Sequence, residues 1–310
     1  MEYVVSYPQV SVIIPVYNGA AFIDSCLRCL ERQNYPKDRM EILVVDNGST
    51  DETRDKAEKY RATVLHCETR GPAAARNVGI KAAKGEILLF TDADCLAAPD
   101  WVLNHVLAHG YYQLADASVK VIGGGVAGYN KNLWAVCDDI CCWAAIHPAL
   151  PSRLRVHYHP TANLSIIARI LRETGGFFET FITGEDVAFC NKVREMGYHI
   201  VFEPSAKVTH INRTSLLKVM MHPLSWSKNS YLLLPAKHQT LLGNPLMRWG
   251  GFAWVWGKNT FSTVWYSLKA KRWWFLLLLP FIVINRMFLG YGFLCSANEN
   301  IKKSRNPHSK

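Results

Sequence analysis

The stretch EILLFTDADC, Glu86 to Cys95, places two carboxylates, Asp92 and Asp94, one residue apart at the end of an apolar, β-prone run. Charged groups are costly to desolvate unless they are paired or hold a metal. Two acids this close repel one another unless positive charge sits between or beside them. An isolated Asp-x-Asp reads either as a cation site or as a turn, where Asp is common. The elements around it decide which.

Those elements alternate. VSVIIPVY (10–17), EILVVD (41–46), ATVLHC (62–67) and EILLFT (86–91) are runs expected of strands buried on both faces. Between them, 20–33 repeats Phe22, Ile23, Cys26, Leu27 and Leu30 at helical spacing. NGSTDETRDKAEKY offers Ser49 or Thr50 as an N-cap, and PAAARNVGIKAAKG is a third helix ending at Gly85. Such alternation predicts a mainly parallel, right-handed α/β sheet. Ligands on these sheets bind beyond the carboxyl ends of the strands. Tyr17, Asn18, Asp46 and the Asp92/Asp94 pair all fall at that rim, which favours the cation reading. Further on, 119–129 and 161–167 read as strands, the latter followed by a helix to about Thr174. Residues 185–198 read as a helix closed by Gly197, and 199–210 as one or two strands.

Gly123, Gly125 and Gly128 satisfy G-x-G-x-x-G, but that fingerprint must open a helix within a βαβ unit. Here the glycines lie inside a β-like stretch after four strand–helix units, which excludes a nicotinamide site. Glycines in a strand allow close backbone approach or a bulge. HYH (157–159) reads as a polar strand edge rather than a ligand pair.

Nearly half of the 310 residues are apolar, which excludes a disordered chain. The net charge of +10 is uneven: residues 205–310 hold 15 Lys/Arg against one acid, Glu299. That third also carries Trp249, Trp254, Trp256, Trp273 and Trp274, and interfacial aromatics among basic residues suit an anionic membrane surface. A run such as FLLLLPFIVI has no use on a phosphate backbone, so a nucleic-acid partner is not expected. Residues 273–294 are near the ~20 needed to span hydrocarbon, with Pro280, Asn285 and Arg286 interrupting them. Both flanks are basic, so an interfacial or re-entrant helical hairpin bent at Pro280 is expected, ahead of a single span or a packed soluble helix. No leader is visible in MEYVVSYPQV. Nine irregularly spaced cysteines, Cys26 and Cys29 within a helical pattern among them, fit a reducing cytosol. The expected place is the cytoplasmic face of a membrane.

VSVIIPVYNGAAFI, EILVVDNGSTDET, GPAAARNVGIKAAKGEILLFTDADC and GEDVAFCNKVREMGY, in that order across roughly residues 9–215, resemble the inverting glycosyltransferase family 2, which has the GT-A fold. The resemblance implies transfer of a sugar from a UDP- or GDP-type donor to an acceptor hydroxyl, with inversion at the anomeric carbon. It implies a divalent cation, Mn2+ or Mg2+, at Asp92, Asp94 and His210, because hard carboxylate oxygens suit these ions and an imidazole tilts the choice towards Mn2+. Pro15, Val16 and Tyr17 would line the base pocket, Asp46 would accept from the base's ring N–H, and Asp92 would also lie near the ribose. Arg76 would face the diphosphate or pair with an acid of the Asp-x-Asp. Asp186 would be the general base, with Glu185 its neighbour; acids at a helix start also favour the dipole. Membrane attachment would suit a lipid-linked or envelope glycan acceptor.

Two other classes are weighed. A sugar-nucleotide nucleotidylyltransferase wants an Arg-bearing phosphate loop after the first strand, and PVYNGAAF has neither Arg nor Lys. A non-catalytic scaffold would have lost an acid of the Asp-x-Asp or the base, and all are present. The expected organisation is a GT-A catalytic region, 1–215, and a basic, Trp-rich helical region, 216–310.

Overall fold

Val10–Val16 (β1) is buried along nearly its whole length because strands flank it on both sides. It pairs in parallel with Met40–Asp46 (β2) and Ile87–Thr91 (β4), and β2 pairs in parallel with Thr63–His66 (β3). The connections are Ile23–Glu31 (α1), Thr53–Ala57 (α2) and Pro72–Ala82 (α3). Helix α1 buries Ile23, Cys26, Leu27 and Leu30, the 3.6-residue stripe legible in the sequence. Helix α3 closes onto the sheet at Gly79, where a Cβ would stand 2.6 Å from Ile13 Cγ2. The computed structural model describes residues 7–305; residues 1–6, part of the stretch read for a leader, lie outside them.

The rest of the sheet turns antiparallel. Cys95–Ala97 (β5), Trp101–Ala115 (α4) and Val119–Gly128 (β6) follow β4. After Leu133–Trp143 (α5), Asn163–Ile167 (β7) runs antiparallel between β4 and β6, and leads into Ala168–Thr174 (α6). Glu185–Glu195 (α7) precedes His199–His210 (β8), a single long strand, which pairs antiparallel with β5. The eight strands lie in the order β3-β2-β1-β4-β7-β6-β8-β5. Gly123 and Gly125 lie within β6 and open no helix. Gly123 is required because the buried His159 ring lies against it, 2.1 Å from where a Cβ would be.

The chain groups into two compact units. One holds 7–127, 151–180 and 185–211; the other holds 128–150, 181–184 and the residues from Asn212 onward. The second unit is helical: α5, then Leu216–Trp226 (α8), Ala236–Leu241 (α9), Pro245–Lys269 (α10) and Leu279–Arg305 (α11). Among the described residues one helical stretch, Trp273–Ser304, is long and apolar enough to cross a membrane. The expected hairpin bent at Pro280 is not formed. Pro280 stands at the second position of α11, where its missing N–H costs nothing, and the helix runs on unbroken. The polar residues that interrupt the apolar run are packing anchors. Buried Asn285 donates to Val219 O at 2.9 Å, and buried Arg286 donates to Thr263 Oγ1 at 3.1 Å and to Cys141 O.

Within the first unit, a chain of buried hydrogen bonds ties α4 to β7. Asn163 Oδ1 accepts from Trp101 Nε1 (2.7 Å) and His105 Nε2 (2.8 Å), while its amide donates to Gly125 O and Ala206 O. With Nε2 the donor, His105 Nδ1 accepts from Ser165 Oγ (2.8 Å), which in turn accepts from His109 Nε2 (2.9 Å). Both rings must be neutral to complete this pattern. Burial pushes His105 down to about 4, and burial with the neighbouring His105 pushes His109 down to about 3. The unfolded chain therefore binds more protons between these values and the ordinary 6.5, so stability falls as pH drops below about 6.5. We expect roughly 2 kcal/mol lost per histidine between pH 7 and 5, read as a falling melting temperature. His109→Gln, which keeps a donor and an acceptor, is expected to flatten that slope; an unchanged slope would remove His109 as a contributor.

Candidate active site

Strand register sets the first group of site residues. Val16 pairs with Asp46 at the shared carboxyl ends of β1 and β2, so Pro15, Val16 and the exposed Tyr17 border the buried Asp46. Asp46 Oδ1 accepts from Ser49 N at 3.0 Å, which fixes the carboxylate at the head of the loop after β2. Asn18, at φ 49°, turns the chain away from β1, and its side-chain oxygen accepts from Thr50 N at 2.8 Å. Asn47 anchors the following loop by donating to Cys67 O and Thr69 O and accepting from Gly71 N. The loop so held delivers Arg70, whose guanidinium lies 4.1 Å from the centre of the Tyr17 ring and donates to Asn47 O at 3.1 Å. Arg70 was not singled out from the sequence. Its signal is weak there, a lone arginine in a loop whose approach to Tyr17 depends on Asn47.

A second group forms at the end of β4. Arg76, on the first turns of α3, is 4% exposed and donates to Asp92 Oδ1 at 3.0 Å and Glu185 Oε1 at 2.7 Å. The ion pair expected between Arg76 and the Asp-x-Asp is formed, and a second acid from α7 shares it. Asp92 keeps about a third of its side chain exposed (34%). Glu185 is buried and committed to Arg76.

Asp186, the next residue, is placed differently. Its Oδ1 accepts from the adjacent Val187 N at 2.8 Å and its Oδ2 from the Tyr158 hydroxyl at 2.9 Å. Burial, reinforced by the charge on Glu185, pushes the Asp186 carboxyl up to about 6, against the opposing pull of the Tyr158 hydrogen bond and Arg76. Tyr158 comes from the HYH segment, whose reading as a plain strand edge is corrected by its placement. His159 is fully buried on Gly123, and Tyr158 reaches the acid of another element.

The third group joins β5 and β8. Their pairing sets Cys95 opposite His210, and Ile211 N donates to Asp94 O at 2.8 Å. Asp94 Oδ2 lies 3.4 Å from His210 Nε2. Ligand atoms of Asp94, Cys95 and His210 all lie within 4.8 Å of one another, a spacing that fits one cation. Cys95 was not expected in this group; burial and the neighbouring acids push its thiol well above the ordinary value, so it is a protonated neighbour unless a metal replaces the proton. The donor set of oxygen and nitrogen from Asp94 and His210 suits a hard or borderline divalent ion; Asp92, about a third exposed and bonded to Arg76, falls outside this cluster.

Carboxyl-end loops, an Asp-x-Asp and an acid-headed helix on a half-parallel, half-antiparallel sheet define the GT-A class of fold. The mannosyltransferase PcManGT from Pyrobaculum calidifontis, solved with GDP-Man and Mn2+, superposes with a TM-score of 0.58 over 97% of this chain and 89% of that one, at 21% identity. Residues 11–169 match the family described as Glycosyl transferase family 2, and the chain belongs to that family. Glycosyltransferase AglE of Haloferax volcanii is 32% identical over 201 residues, covering 63% of this chain and 64% of that protein. The pre-mycofactocin glycosyltransferase of Mycobacterium tuberculosis is 28% identical over 229 residues, 68% of this chain and 44% of its own. The matched regions thus span less than two thirds of these relatives' own lengths.

Arg76 is the shared cation of two acids, so its removal strands both. Breaking a buried pair from one side costs about 3–5 kcal/mol. Arg76→Met is expected to lose stability on that scale by chemical denaturation, and adding Glu185→Gln is expected to recover part of it. A single variant as stable as the parent would mean that Asp92 and Glu185 do not depend on Arg76.

Proposed function

We propose that the protein is a metal-dependent inverting glycosyltransferase that moves a sugar from a UDP- or GDP-linked donor to a hydroxyl of a glycan or lipid-linked acceptor. Residues 1–215 would carry the chemistry, and 216–310 would hold the enzyme at the cytoplasmic face of a membrane. The observation that carries the catalytic reading is the division of labour among neighbouring acids. Arg76 neutralises Asp92 and Glu185, while Asp186 keeps a carboxyl poised near 6.

Each residue then has a task its chemistry suits. Pro15, Val16 and Tyr17 bound the base pocket, with Arg70 closing over the Tyr17 ring, and Asp46, acceptor-only when ionised, receives the base's ring N–H. Asp94 and His210, whose ligand atoms lie together, and Asp92 from the same loop are the groups that would hold Mn2+ or Mg2+. When bound, the ion neutralises charge developing on the departing nucleoside diphosphate. Arg76 holds Asp92 in position and adds a fixed positive charge beneath the phosphates. Asp186 takes the proton from the acceptor hydroxyl as that oxygen attacks the anomeric carbon, and the glycosidic bond to the diphosphate breaks on the opposite face. A base poised near 6 is ionised at neutral pH yet not so weak that it cannot take the proton.

Tyr158 is a positioning residue for that base. Its hydroxyl stabilises the ionised carboxylate and sets the direction of the remaining lone pairs. We expect Asp186→Asn to lower kcat by ~10²-fold or more with donor affinity little changed. The acid limb of the kcat profile is expected near pH 6, falling as Asp186 protonates, and Tyr158→Phe is expected to move it to higher pH by removing a donor to the charged form. A loss confined to donor affinity in Asp186→Asn would place the base elsewhere. A limb unmoved in Tyr158→Phe would show that the hydroxyl does not act through Asp186.

A further inference from the structure

Helix α10 is apolar on its outward side as well as where Val255, Val264 and Leu268 pack inward. A helix covering a soluble domain turns polar residues outward and apolar ones inward. Along the outward stripe of α10, at spacings of eight, seven and four residues that each return to one face, stand Leu246 (79% exposed), Trp254 (67%), Phe261 (68%) and Trp265. Its inward side buries Thr263 and Ser267, with Thr263 accepting from Arg286 of α11. Water gains nothing from this arrangement, and exposed apolar patches of this kind mark an interaction surface.

Charge says what covers it. Lys258 and Lys269 border the stripe on one side, and the Lys269 ammonium lies 5.0 Å from the centre of the Trp265 ring. Residues 205–310 hold 15 Lys/Arg and one acid, so an anionic partner is attracted and a cationic one repelled. Trp beside Lys around an apolar stripe is the chemistry of the lipid headgroup boundary. The 25 residues of α10 run about 37 Å, and with one side already covered by α11 the helix suits lying in the plane of a surface rather than crossing it.

We propose that α10 is the element that seats the protein on an anionic membrane, its Leu246–Trp254–Phe261–Trp265 stripe entering the headgroup boundary and Lys258 and Lys269 meeting lipid phosphates. This rests on the membrane attachment proposed above, and it adds α10 to the apolar run at 273–294, where Asn285 and Arg286 anchor one side inward while Trp273, Leu276 and Leu277 stay exposed.

Cosedimentation of the full chain with phosphatidylcholine vesicles, with and without phosphatidylglycerol, tests it. W254E/F261E/W265E, all at exposed positions, is expected to partition ~10²-fold or more weakly, given the apolar area withdrawn, with an unchanged far-ultraviolet circular dichroism spectrum. K258Q/K269Q, which leaves the apolar stripe intact, is expected to bind on the order of tenfold more weakly to the anionic vesicles only, and only at low salt. A parent that binds vesicles while both variants bind equally well overturns the assignment to α10 and leaves membrane attachment standing. A parent that binds neither vesicle overturns both. A parent dimer that the triple substitution converts to a monomer, by light scattering, makes the stripe a contact between two copies and overturns the lipid assignment.

Discussion

One buried guanidinium organises the sheet-bearing unit. Arg76 is nearly sealed from solvent and bonds two carboxylates from separate elements, Asp92 at the end of β4 and Glu185 at the start of α7. A buried charge with a single partner is costly, and two acids without a cation would repel one another. Each of the three groups is therefore tolerable only where the other two are. This mutual dependence fixes α7 against the rim of the sheet although more than ninety residues separate it from Asp92 in the chain. It also leaves Asp186, the next residue after Glu185, with neither oxygen on the guanidinium, held by Val187 N and Tyr158 alone.

The same unit shows how the rim is held from behind. Asn163 pairs across from Thr91, the residue before Asp92, and its side chain is locked by Trp101, His105 and two backbone carbonyls. Polar groups so deep must be fully bonded, and only neutral imidazoles complete the pattern. Local polar chemistry thus sets the strand ends, while aliphatic packing of β1, β2 and β4 sets their alignment. The loops that bear Asn18, Asp46 and Arg70 then need only a few side-chain anchors, Asn47 chief among them.

Much of the first half was legible because β-branched runs and one amphipathic helix leave strong periodic signals. The strands at 10–17, 41–46 and 86–91 lie within a residue or so of their sequence bounds. The antiparallel half was not legible, since pairing of β7 with β4 and of β8 with β5 depends on contacts between distant segments. Tyr158 and His159 were misread together for a related reason. Whether adjacent residues face a core or a site depends on a partner elsewhere, Gly123 for one and Asp186 for the other. At 273–294 the sequence showed apolarity but not what covers it. Arg286 looked like an interruption of a membrane segment and is instead satisfied inside a helical unit.

On the function proposed above, a cation at Asp92, Asp94 and His210 and a base at Asp186 would act on opposite sides of one sugar. The most direct measurement is product stereochemistry, followed by proton nuclear magnetic resonance with UDP- and GDP-linked donors, with Mn2+ and with excess chelator, on the parent and on Asp94→Ala. An anomeric configuration opposite to that of the donor, formed only with the metal and lost in Asp94→Ala, is the expected result. A product that retains the donor's configuration, or turnover undiminished by chelator, would contradict it.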